Sequence, residues 1–428
     1  MRFPRIFLLV TLAFALGFLV GVNKIDVDWK NYRPHITVVN KEPPDGQMKL
    51  DLSHMWLVME KLENQYYDKT KIDSQKMLNG AITGLVSSLD DPYTVYLPPQ
   101  QNTQFKQTLA GQFEGIGAEL GMRDKQIIVV APLEGSPAQK AGIRSGDAIV
   151  KIDSKSTYGF TLNQAVEKIR GPKGSKVLLS IVHKDEDKLQ DISVPRDTIN
   201  VKSVFLWTKK IKDIDEIDQK AFLQGSLSNE VAYIRLSQFG DNTNHEWISL
   251  VNALALDVQK NPNIKGLVLD LRNNPGGYLT DATFIASEFL PIGKTVVSQD
   301  NATGNKVDLK VEKQGLLVKI PLVILINKGS ASASEILSGA MQDYNRATIV
   351  GETSFGKGTI QTAEDLGGGA GLHITIAKWL TPNGTWVHQK GIEPDVKVDV
   401  DTKDQARDAQ LEKAVETLLG NQSIIANK

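Results

Sequence analysis

Two stretches of this 428-residue chain hold residue types that together can break an amide bond. Asn327-Lys328-Gly329-Ser330-Ala331-Ser332-Ala333-Ser334-Glu335 leaves the apolar run Leu322–Asn327 and opens a helical pattern. Ser332 then stands at a helix N-terminus, whose unpaired N–H groups and positive dipole end suit a developing oxyanion. Its small neighbours let a substrate backbone come close. Gly351-Glu352-Thr353-Ser354-Phe355-Gly356-Lys357-Gly358-Thr359 sets Lys357 between glycines, where its amine can enter a cleft. A serine hydroxyl with a lysine amine as base can attack a carbonyl carbon. An ordinary lysine, with a pKa of about 10.4, is almost wholly protonated at neutral pH, so the base must be desolvated or held near positive partial charge. A third stretch, Asp270-Leu271-Arg272-Asn273-Asn274-Pro275-Gly276-Gly277, ends the strand pattern Lys265–Leu271 in a glycine pair. An N–H of that pair can share the oxyanion with the N–H of Ala333.

Other chemistries fit less well. Ser332-x-x-Glu335 is also a capping-box pattern, in which the serine only satisfies an orphan N–H; Lys357 and the glycine pair, in the same α/β region, turn the balance toward a nucleophile. The six histidines are His35, His54, His183, His245, His373 and His388, and only the last three fall in the catalytic region. His373 lies in an alternating apolar run and reads as a strand residue facing solvent or a partner. No Gly-x-Ser-x-Gly elbow supports a Ser-His-Asp triad. No His-Glu-x-x-His or histidine pair at ligand spacing supports a metal, and no cofactor is expected. The absence of cysteine excludes disulfides, thiolate sites and cysteine nucleophiles. A net charge of −1 without a basic stripe argues against nucleic acid as a partner.

The surrounding elements follow from pattern. Arg2 and Arg5 precede an uncharged stretch, Ile6 to Val22, whose length lies between a signal-peptide core and a membrane span. It reads as a signal anchor or signal peptide, with an uncleaved inner-membrane anchor preferred; the rest of the chain is then extracytoplasmic, at the bacterial periplasm or cell surface. Residues 23–47, broken by prolines, read as a linker, and 48–100 as an N-terminal helical region. Residues 104–199 form a mixed module with an amphipathic helix at Thr161–Arg170, where Leu162, Ala165, Val166 and Ile169 share one face. Residues 201–400 alternate strands and helices, an α/β core with its chemistry at the strand ends. Residues 401–428 read as a helical or frayed C-terminal tail. A hinge around 95–112 and 199–205 would let the module move.

Two resemblances emerge. Phe113-Glu114-Gly115-Ile116-Gly117-Ala118, Gly135-Ser136-Pro137-Ala138, Ala141-Gly142-Ile143 and Gly146-Asp147 resemble a PDZ domain of the bacterial protease type. The resemblance implies β-augmentation, with a peptide carboxylate received at Gly115, Ile116, Gly117 and Ala118. The Ser332 and Lys357 stretches, with Asp270–Gly277 upstream, look like the C-terminal processing (tail-specific) serine peptidases. The likeness runs through Leu89-Asp90-Asp91-Pro92-Tyr93 to Gly391-Ile392-Glu393-Pro394-Asp395. It implies a multidomain α/β and α+β protein whose core resembles the ClpP/crotonase-like ββα fold. It further implies Ser332 as nucleophile, Lys357 as general base, Gln361 as the lysine's assistant, and Gly277 (or Gly276) with Ala333 as oxyanion donors. Gln361 poses a geometric problem, because an extended strand sets its Cα ~13 Å from that of Lys357 unless the backbone turns or bulges. The expected substrates are proteins or peptides with apolar C-termini; an adaptor protein and a homo-oligomer stay open as partners. The rival is a catalytically silent PDZ scaffold in which Ser332 is only a cap.

Overall fold

In a computed structural model of the chain, the described residues are 51–400 and 407–425, less 124, 134, 185 and 187, with the backbone of 25–30 and 33–38. The expected anchor, 6–22, lies outside them. Among the described residues no helix is long and apolar enough to cross a membrane.

Contacts divide the chain into residues 1–80 and 81–428. In the first unit, β1 (Ile25–Lys30) pairs antiparallel with β2 (Arg33–Val38), Ile25 opposite Val38. A hairpin therefore stands inside the expected linker: Ile25, Val27 and Trp29 alternate with polar residues, a period-two signal that the prolines further along obscure. Helix α1 (Ser53–Gln65) follows, then α2 (Ser74–Ser87), which runs into the second unit.

In the second unit, β3 (Val95–Leu97) and α3 (Pro99–Leu109) come before the module. The expected hinge at 95–112 is thus largely regular structure. The Asn102 amide donates to Gly369 O (2.9 Å) and Gln238 Nε2 donates to Thr108 O (3.0 Å), tying α3 to later segments.

The chain enters the module at β4 (Gln112–Gly115) and continues through β5 (Ala118–Arg123), β6 (Gln126–Pro132), α4 (Pro137–Lys140), β7 (Ala148–Ile152), β8 (Lys155–Ser156), α5 (Leu162–Ile169), β9 (Lys176–Val182) and β10 (Leu189–Pro195). It leaves by β11 (Asp197–Asn200), which zips antiparallel onto β4. The sheet order is β10-β9-β7-β6-β5, with β8 on β7. Alternate residues Val177, Leu179 and Ile181 are buried with Ile127, Val129 and Ile149 against Ala165 and Ile169 of α5. A full capping box starts α5: Thr161 Oγ1 accepts from Gln164 N–H, and Gln164 Oε1 from Thr161 N–H. Buried Arg196 receives its other end, donating to the carbonyls of Lys168 and Ile169 (3.0 and 2.7 Å).

The core sheet takes β12 (Val204–Lys210), β13 (Glu230–Leu236), β14 (Ile264–Asp270), β17 (Leu322–Ile326), β18 (Thr348–Gly351) and β21 (Val396–Lys397), in that order and parallel except for β12. Both faces are covered, so β17 is apolar and buried throughout. Leu267, Leu269, Leu322, Ile324 and Ile326 join one cluster with side chains of α6 (Thr243–Lys260), α7 (Leu279–Ala286) and α8 (Ala333–Asp343). Val268, Val323 and Leu325 join the other, with Leu411, Ala414, Val415 and Leu418 of α9 (Ala409–Ile425). The expected tail is therefore, from 409, a helix of the hydrophobic core. A second sheet is ordered β16 (Lys306–Lys310), β15 (Thr295–Asn301), β20 (Ala370–Leu380), β19 (Thr359–Gly367), and β3 joins it through β20.

Candidate active site

Ser332 lies in the turn between β17 and α8, at φ 55°, ψ −115°. A side chain resists this region, which strains the turn and aims the residue out of the strand-to-helix path. The local hydrogen bonds explain how the strain persists. Ser330 Oγ donates to Leu271 O (2.8 Å) and accepts from Asn327 N–H (3.0 Å). Buried Asn274 acts as a knot: its carbonyl accepts from Ala331 N–H and Ser334 Oγ (both 3.0 Å), and its amide donates to Leu236 O (2.8 Å). Ser332 has the outline of a capping box but makes no cap hydrogen bond with its side chain. The Glu335 N–H instead donates to the Ser332 carbonyl (2.8 Å).

The glycine pair is pressed against this turn. A Cβ on Gly276 (φ 96°) would stand 2.7 Å from Ser332 Cβ and 2.9 Å from Ala333 N, so only glycine permits the approach. Gly276 N–H is taken by Asn274 Oδ1 (2.9 Å). For the N–H groups of Gly277 and Ala333, no acceptor is found among the described residues.

Glu335 is fully buried on the first turn of α8 and joins two loops. Its Oε2 accepts from the N–H of Ser332 (2.8 Å) and of Lys357 (2.9 Å). Its Oε1 accepts from Ser354 Oγ and Gly356 N–H, both at 2.6 Å. One carboxylate thus spaces the serine turn from the lysine loop. The Ser-x-x-Glu spacing shows only a cap in sequence, because the other three donors arrive from more than a dozen residues away.

Lys357 is half-buried, its ammonium 5.1 Å from the Tyr93 ring centroid. Burial pulls its pKa below the ordinary lysine value, opposed by the charges of Glu335 and Asp91. Among the described residues no hydrogen bond joins its amine to Ser332 Oγ or Gln361. Gln361 follows a bulge, a register shift between Ile360 and Gln361, so the strand is not the straight one that separates it from the lysine. Its amide nitrogen donates to Thr359 Oγ1 (2.9 Å) and Thr375 Oγ1 (3.0 Å).

Two of the histidines, His388 and His373, are found near the lysine segment, and among the described residues neither is hydrogen-bonded to Ser332. His388 stacks on Trp386, centroids 5.0 Å apart, beside Gly358. His373 meets Phe105 edge-on at 4.5 Å, and its pKa is lowered by burial and by the charge of Lys357. Against Phe105 it is half-buried rather than facing open solvent. No group of side chains suited to a metal is found among the described residues.

In the PDZ-like module, Gly115 ends β4, Ile116 is buried, and Gly117 (φ 73°) turns the chain into Ala118 at the start of β5. A Cβ on Gly117 would lie 2.5 Å from Ser136 Cβ. Strand β5 ends the sheet, the position at which an extended peptide can add.

Three segments of the chain match known families. Residues 230–398 match Peptidase family S41, 128–182 the PDZ domain, and 27–101 the activating protease CtpB N-terminal domain. The chain is 38% identical to the carboxy-terminal processing protease CtpA of Bacillus subtilis (strain 168) over 84% of its own length and 71% of that protein's. It is 35% identical to the carboxy-terminal processing protease CtpB of the same organism, over 95% and 80%. The structure of a putative S41 protease from Bacteroides fragilis shares the fold, with a TM-score of 0.55 at 14% identity, covering 90% of this chain and all of that one. With a serine turn, a glycine pair and a PDZ domain ahead of its core, the chain belongs to the carboxy-terminal processing proteases of peptidase family S41, which are serine-type peptidases.

Proposed function

We propose that Ser332 and Lys357 form the catalytic dyad of a peptidase that cleaves extracytoplasmic proteins after their apolar C-terminal tails dock on the PDZ domain. The observation that carries the assignment is the strained backbone of Ser332, held beside Gly276 while its hydroxyl makes no cap hydrogen bond. The Lys357 side chain leaves the Tyr93 ring and, as the neutral amine, takes the Ser332 proton. Oγ then bonds to the scissile carbonyl carbon, and the N–H groups of Gly277 and Ala333 receive the oxyanion. Collapse breaks the C–N bond, the lysine returns the proton to the leaving amine, and water releases the acyl group by the same steps. Gln361 steadies the lysine through its carbonyl oxygen. Gly276 is assigned to close packing rather than to donation, because its N–H is already bound.

Recognition follows from β-augmentation at β5, with the Gly115–Ala118 turn receiving the terminal carboxylate. Arg2, Arg5 and the uncharged Ile6–Val22 support an inner-membrane anchor with the peptidase outside the cytoplasm. Family membership sets aside the silent scaffold.

The test is to replace Ser332→Ala and Lys357→Ala separately and follow a peptide with an apolar C-terminus. Both variants should lose hydrolysis yet still bind the tail, and a fluorophosphonate should label Ser332 in the parent chain alone. Hydrolysis by either variant at the parental rate would remove the dyad.

A further inference from the structure

The Leu89-Asp90-Asp91-Pro92-Tyr93 stretch has no part in the chemistry described so far, yet it lies against the lysine. The turn is built on Asp91: its Oδ1 accepts from Tyr93 N–H (3.0 Å) and its Oδ2 from Thr94 Oγ1 (2.7 Å). Buried Thr94 in turn accepts from Thr375 N–H through its hydroxyl (3.0 Å). The Thr375 hydroxyl, brought up by that bond, lies close enough to the Asp91 carboxylate to help hold its pKa down as a donor. The Tyr93 ring from the same turn carries the Lys357 ammonium.

We infer that Asp91 and Thr375 are positioning residues for Gln361, fixing which end of its amide is presented to Lys357. The inference rests on the Ser332–Lys357–Gln361 assignment and deepens it. An ionised carboxylate only accepts, so the Thr375 hydrogen points to Asp91. The lone pairs of Thr375 Oγ1 are then left for an incoming donor, and the Gln361 partner must be its NH2 group rather than its oxygen. Thr359 Oγ1 takes the second amide hydrogen. With both hydrogens committed, Oε1 is the polar atom that remains, and it is the one an ammonium needs. Burial would raise the Asp91 carboxyl, but the Thr375 and Thr94 hydroxyls, the Tyr93 amide and the charge of His388 outweigh it and keep the group ionised. Without this chain the amide can flip and offer N–H groups to a positive charge.

A double-mutant cycle tests the inference on the full chain. Thr375→Val should lower kcat by about tenfold with KM unchanged, as expected for a general base whose support is lost. Thr375→Ser, which keeps the hydroxyl, should restore kcat to within about twofold. In a Gln361→Ala background, neither Thr375→Val nor Asp91→Ala should reduce kcat further, because the residue they act through is gone. Thr375→Ala serves the same cycle should the valine variant fail to fold, and a thermal melt checks each protein. Full kcat in both Thr375→Val and Thr375→Ala overturns the inference. So does a loss that multiplies with that of Gln361→Ala, or a Gln361→Ala variant with parental kcat. Each of these leaves the dyad standing, whose own failure is read separately from Ser332→Ala and Lys357→Ala.

Discussion

Ser332 and Lys357 are each kept in a state that an isolated residue would leave. At φ 55°, ψ −115°, Ser332 carries backbone strain of about 1–3 kcal/mol that glycine would not feel. Ser332→Gly and Ser332→Ala should both be inactive yet differ in stability. The glycine variant is expected to melt higher by about 2–4 °C, the equivalent of roughly 1 kcal/mol after its greater chain entropy is counted. Equal melting points would show the turn to be unstrained. For Lys357 the sign runs the other way from a stabilised charge: burial lowers its pKa, so the neutral base appears as pH rises through that lowered value. Glu335 opposes this by favouring the ammonium. Glu335→Gln should therefore move the acid limb of kcat/KM to lower pH. It should also cost stability, on the order of 2 kcal/mol, since one amide oxygen cannot serve donors that two carboxylate oxygens serve. An acid limb that stays in place in a folded Glu335→Gln protein would detach Glu335 from the lysine.

At the scale of elements, α9 shows how far the fold departs from local pattern. Its docking is fixed by Arg272 at the end of β14, which donates to Asp270 Oδ2 (2.6 Å) and bridges to Asp408 Oδ1 and Oδ2 (both 2.8 Å). Burial would raise the Asp408 carboxyl, yet the hydrogen bond and charge of Arg272 and the amides of Leu411 and Gln410 hold it below the ordinary range. A lowered folded-state pKa means stability present above the unfolded value and lost as pH falls through the folded one. Asp408→Asn should thus destabilise by on the order of 2–3 kcal/mol at neutral pH, with no difference from the parent in strong acid. Urea melts at both ends of that range measure it, and a deficit independent of pH would show that packing rather than charge holds the helix. Such docking is hard to read from sequence, because Arg272 and Asp408 are 136 residues apart. The strands β14 and β17, the serine turn and the lysine between glycines were legible, since each is written in fewer than ten consecutive residues. The same holds for the capping box of α5. The core role of α9, the four donors on Glu335 and the Thr94–Thr375 contact were not, because their causes lie in partners that sequence spacing does not bring together, and the hairpin at 25–38 was hidden by the prolines beyond it.

Across the whole molecule, the PDZ domain has a hydrophobic cluster of its own. Ile127, Val129, Ile149, Leu179 and Ile181 pack among module residues, whereas the two clusters of the catalytic core contain no residue from 112–200. The chain passes between them through the β4–β11 ribbon, a single pair of short strands. Units with separate cores and a narrow connection unfold as separate cooperative transitions. Calorimetry of the Ser332→Ala chain should accordingly resolve a PDZ transition apart from that of the core. A peptide ending in apolar residues binds the folded module and not the unfolded one, so at about 100 times its Kd it should stabilise that transition by about 2.7 kcal/mol. The core transition should not move, because nothing in its clusters is completed by the ligand. A core transition that shifts with the peptide would mean that tail binding is coupled into the catalytic sheet. The ribbon would then be a transmitter of the binding energy rather than a tether, and joining β4 to β11 with a short turn in place of 116–196 should abolish the shift while leaving the core folded.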